Sequence, residues 1–63
     1  MIKTDYTGTQ FYEGPGLVDY PTARNVTSMD ARLEVPAQYY SLEDLKGLIK
    51  FLKTIKRQMK EPM

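Results

Sequence analysis

Ser41-Leu42-Glu43-Asp44-Leu45-Lys46-Gly47-Leu48-Ile49-Lys50-Phe51-Leu52-Lys53-Thr54-Ile55-Lys56-Arg57-Gln58-Met59 is the stretch that decides how this chain folds. At about 100° per residue, Leu42, Leu45, Leu48, Ile49, Leu52, Ile55 and Met59 fall on one side of a helix, with Phe51 at the edge of the stripe. No proline interrupts the run, and Gly47 is its only glycine. Ser41 offers an N-cap hydroxyl, and Glu43 and Asp44 place acids in the first turn, where the helix dipole favours them. Asp44 stands at the third helical position of a capping box, where Glu or Gln is the usual residue. Pro62 marks the end. The apolar stripe spans nearly half the circumference, with Leu45, Leu48 and Leu52 expected at the centre of the buried face.

Upstream of this helix the pattern changes period. Ala31-Arg32-Leu33-Glu34-Val35 alternates apolar and charged residues, as a half-buried strand does, and Pro36 ends it. Thr9-Gln10-Phe11-Tyr12-Glu13 reads as a second strand, closed by the turn Gly14-Pro15-Gly16. Leu17-Val18-Asp19-Tyr20 is placed to pair back as a hairpin until Pro21 cuts it short, and residues 21–30 read as a loop. The expected fold class is therefore α+β: a short antiparallel hairpin or meander over about residues 9–36, with one long C-terminal amphipathic helix over about 41–60. The alternative is an extended arm plus a helix that orders only in an assembly.

A chain of 63 residues makes a single small domain with a thin core, and such domains draw on disulfides, metals or oligomerisation for support. Cysteine and histidine are both absent, which removes disulfides and the usual zinc ligands. Assembly with a second copy or a larger protein is the support that remains. The two halves differ in charge: residues 1–40 carry a net −2 and residues 41–63 a net +3. Six of the seven aromatic residues (Tyr6, Phe11, Tyr12, Tyr20, Tyr39 and Tyr40) precede the helix, giving a tyrosine-rich acidic half and a basic helical half. Tyrosine, with its broad apolar ring and polar tip, suits interfaces and the rims of small cores alike.

Catalytic constellations are missing. Without histidine or cysteine there is no Ser–His or Cys–His nucleophile, and Gly14-Pro15-Gly16 is a turn rather than a phosphate loop. The carboxylate pair Glu43 and Asp44 is explained by the helix N-terminus, and Asp30 with Glu34 lacks a visible partner. No enzyme activity, cofactor or metal is expected. One pattern does carry a binding hypothesis. Lys46, Lys50, Lys53, Arg57 and Lys60 recur at spacings of four and three, forming a basic stripe without an acid on it. With Arg24, Arg32 and nearby tyrosines it can serve a nucleotide or nucleic acid. The plainer reading is a solvated helix face, since any amphipathic helix needs one.

The opening Met1-Ile2-Lys3-Thr4-Asp5 lacks the apolar stretch of a secretory leader, and no run is long enough to span a membrane. A cytoplasmic protein without membrane association is expected, so the sequon Asn25-Val26-Thr27 reads as chance. The functional expectation is a small protein–protein interaction or assembly module, probing for itself or a larger protein. Small size and tyrosine-rich turns fit an accessory or structural protein of a phage-like system, resident in the host cytoplasm or the virion.

Overall fold

The computed structural model describes residues 1–59. Four short strands, β1 (Ile2–Thr4), β2 (Gln10–Tyr12), β3 (Thr22–Arg24) and β4 (Arg32–Glu34), form an antiparallel meander in the order β1-β2-β3-β4. A single helix, α1 (Leu42–Gln58), follows and packs over β2. The expected α+β arrangement is what the chain adopts.

Two strands depart from the sequence reading. β3 lies inside the stretch 21–30 expected as a loop, and Leu17–Tyr20 does not form the returning strand. Pro21 explains the shift. It has no N–H to give to a ladder, but its carbonyl accepts from the Tyr12 amide at 3.0 Å, so the strand begins just after it. Leu17 instead turns inward and is buried, its amide donating to the Gly14 carbonyl at 3.2 Å. The Gln38 side chain then pins this segment: its Oε1 accepts from the Val18 amide at 3.0 Å and its Nε2 donates to the Asp19 carbonyl at 2.6 Å.

β1 is the other addition. Its register sets Ile2 beside Tyr12, Lys3 beside Phe11 and Thr4 beside Gln10. The β1–β2 connection is organised by Asp5, whose Oδ1 accepts from the Thr7 amide at 2.9 Å, the Thr9 amide at 3.0 Å and the Thr7 hydroxyl at 2.6 Å. The Thr7 hydroxyl above all, with those amides, holds the Asp5 carboxyl below the usual carboxylate value.

Cross-strand partners share a face of the sheet, so the register sorts the side chains. Ile2, Tyr12, Ala23 and Leu33 point to the side that α1 covers, whereas Lys3, Phe11, Thr22, Arg24, Arg32 and Glu34 point away from it. On that outer face Phe11 lies nearly parallel to Tyr20, with ring centroids 6.1 Å apart. The core between sheet and helix joins Tyr12, Leu17, Ala23 and Val26 to Leu48, Phe51 and Ile55. Burying each of the larger aliphatic or aromatic side chains contributes about 1.5–3 kcal/mol.

Candidate interaction surface of the helix

The N-terminus of α1 is built as the sequence implies. The Ser41 Oγ accepts from the Asp44 amide at 3.2 Å and lies 2.9 Å from Asp44 Oδ2, to which it donates. Asp44 is nonetheless only 1% exposed, and its Oδ1 has no hydrogen-bond partner among the described residues. The reason for its burial is the Gly14-Pro15-Gly16 turn. A Cβ on Gly14 would stand 2.6 Å from Oδ1, and one on Gly16 would stand 2.5 Å from Oδ2. Only a turn without side chains at those two places can close over the carboxylate.

One turn later the helix meets the sheet even more tightly. A Cβ on Gly47 would overlap the Tyr12 hydroxyl, so the missing side chain lets α1 rest on the Tyr12 ring. Burial, and after it the charges of Asp44 and Glu43, push the Tyr12 phenol above its usual value. Below the ring Phe51 is fully buried, its centroid 6.4 Å from that of Tyr12.

These contacts fix which sector of the helix is buried. Asp44, Leu48, Phe51 and Ile55 form the buried stripe, and Leu52 and Met59 are partly covered beside it. Leu42, Leu45 and Ile49 are 69%, 44% and 47% exposed. The expected centre of the buried face, on Leu45, Leu48 and Leu52, is thus corrected. Burial is rotated by about 60° towards Phe51, at 100° per residue. Gly47 and the Gly14–Gly16 turn draw that side of the helix down onto Tyr12, and the opposite flank is lifted clear. Met1, Ile2, Tyr12, Glu43, Gly47 and Lys50 line a shallow depression on the β1 side of α1. Leu45, Ile49 and Leu52 consequently lie on the other flank, toward β3 and β4.

The basic residues separate into two groups. Lys46, Lys50, Lys53 and Arg57 are exposed on the side of α1 away from the sheet, and none forms an ion pair among the described residues. Lys60 lies outside the described residues. Arg24 and Arg32 are neighbours in register on the outer face of the sheet, so the sheet and the core stand between them and the helix stripe. A single phosphate site drawing on both groups is not what the fold assembles. Two burial states run against the sequence pattern, those of Asp44 and Leu33. Asp44 is polar yet lies in the buried stripe, and Leu33 points inward yet is 45% exposed.

No helix among the described residues is long and apolar enough to cross a membrane. No known family, curated protein or solved structure matches this chain.

Proposed function

We propose that this chain is a protein-docking module whose contact surface is the uncovered flank of α1. The observation that carries the reading is the exposure of Leu42, Leu45 and Ile49 beside a helix stripe, Asp44, Leu48, Phe51 and Ile55, that is buried. A helix that needed only to cover its own sheet would place polar residues there. Lys46 and Lys53 border this flank without ion-pair partners among the described residues. A partner that fits is an apolar protein surface with an acidic rim, the apolar centre supplying affinity and the rim supplying orientation.

A photo-crosslinking residue at position 49 tests the reading in two steps. It should join the chain to a protein that, once purified, binds the wild-type domain and binds Leu45→Glu/Ile49→Glu at least tenfold more weakly. Undiminished binding by the double variant overturns the reading. A second reading, phosphate-ligand binding, draws support from Lys53, Lys56, Arg57 and Met59 lining a depression near the end of α1. It predicts affinity for a short oligonucleotide that falls steeply with salt, whereas the apolar contact is nearly indifferent to salt.

A further inference from the structure

β4 is an edge strand, and its sequence complements itself. Along Ala31-Arg32-Leu33-Glu34-Val35 the order is apolar, cation, apolar, anion, apolar. Its free edge is a row of backbone donors and acceptors that a further strand can meet. We propose that the occupant is β4 of a second copy, paired antiparallel about a two-fold axis through Leu33. That register sets Arg32 opposite Glu34 of the second copy, Glu34 opposite its Arg32, and Ala31 opposite its Val35. Leu33 meets its own counterpart on the inner face.

Three observations favour this partner over an unrelated strand. Arg32 and Glu34 lie on one face, 3.4 Å apart and largely exposed, so pairing turns one ion pair into a ring of four alternating charges. Leu33 points to the helix side and is 45% exposed, so its own sheet and helix leave it half uncovered. An isologous interface requires a self-complementary patch, and this order of residues provides one. Pro36 limits the pairing to residues 31–35, because it has no N–H to offer where the ladder would continue. So short a strand buries less than the roughly 1,200 Å2 of a stable interface, and the dimer is accordingly weak. The inference does not rest on the helix-flank reading, since it uses a different element and a different partner.

Charge reversal on the full chain tests it. Sedimentation should show the wild type dimerising as its concentration is raised to about 1 mM, the weak end of specific association. Glu34→Arg and Arg32→Glu should each weaken the dimer at least tenfold with unchanged circular dichroism, because like charges then face each other. The double variant Arg32→Glu/Glu34→Arg restores opposite charges across the axis and should recover the wild-type constant. A monomeric wild type, unaffected single variants or an unrestored double variant overturns the proposal. A dimer abolished by Ile49→Glu and untouched by Glu34→Arg also overturns it, and assigns self-association to the helix flank instead.

Discussion

The β1 side and the β4 side of this molecule are built from similar three-residue edge strands, and they end in opposite conditions. On the β1 side the residues are matched within the chain. Lys3 reaches Glu13 at 3.0 Å, Ile2 packs against the core, and the Glu43–Lys50 flank of α1 stands above. Self-pairing of β1 about Lys3 would set two ammonium groups face to face, which blunts that edge. On the β4 side Leu33 is half uncovered, Arg32 and Glu34 face outward, and Leu45 and Ile49 stand clear of the sheet. The cause is a pair of contacts: Gly47 rests on Tyr12 and the Gly14–Gly16 turn closes over Asp44, so the helix closes one side and opens the other. A small sheet and one helix cannot cover both.

Three measurements can break or sharpen this contrast. Phe51 is the floor on which both sides rest, and Phe51→Ala should cost about 3–5 kcal/mol. For a domain this small that is enough to abolish cooperative unfolding by denaturant, and a retained transition would displace Phe51 from the centre of the core. Gly47→Ala, on the closed side, should cost about 1–3 kcal/mol through its overlap with Tyr12. Ile49→Ala, on the open side, should stay within about 0.5 kcal/mol. Equal losses at the two positions would erase the distinction between the flanks.

The smallest expected effect is in the pH dependence. The Tyr12 phenol is raised in the folded state above its ordinary value of 10.0. Its contribution is therefore fully present below pH 10 and is lost as pH rises through the folded value. Asp5 is lowered from 3.8, so its contribution is present above that value and is lost as pH falls through the folded one. Tyr12→Phe should flatten the alkaline limb of a melting profile and Asp5→Asn the acid limb, each leaving the other limb unchanged. An alkaline limb that persists in Tyr12→Phe would show that the closed side does not depend on the neutral phenol.

Much of the architecture was legible in the sequence because it is local. The Ser41 cap, the 3.6-residue period after it and the alternation of Arg32-Leu33-Glu34 each state a backbone preference that neighbouring residues enforce. β1 and β3 were not legible, since Ile2-Lys3-Thr4 and Thr22-Ala23-Arg24 lack the apolar residue on each flank that extends the alternation of β4 to Ala31 and Val35, and Pro21 masked the start of β3. The uncovered flank was legible as a set: Leu42, Leu45 and Ile49 all stood in the apolar stripe. Which members would be buried was decided only in three dimensions. Eight apolar positions spread over nearly half a helix offer several sectors to the sheet, and the local sequence ranks them almost equally. The choice came from contacts between residues distant in the chain, Gly47 on Tyr12 and Gly14 and Gly16 over Asp44, because only a backbone without a side chain can come so close to the side chain of another residue.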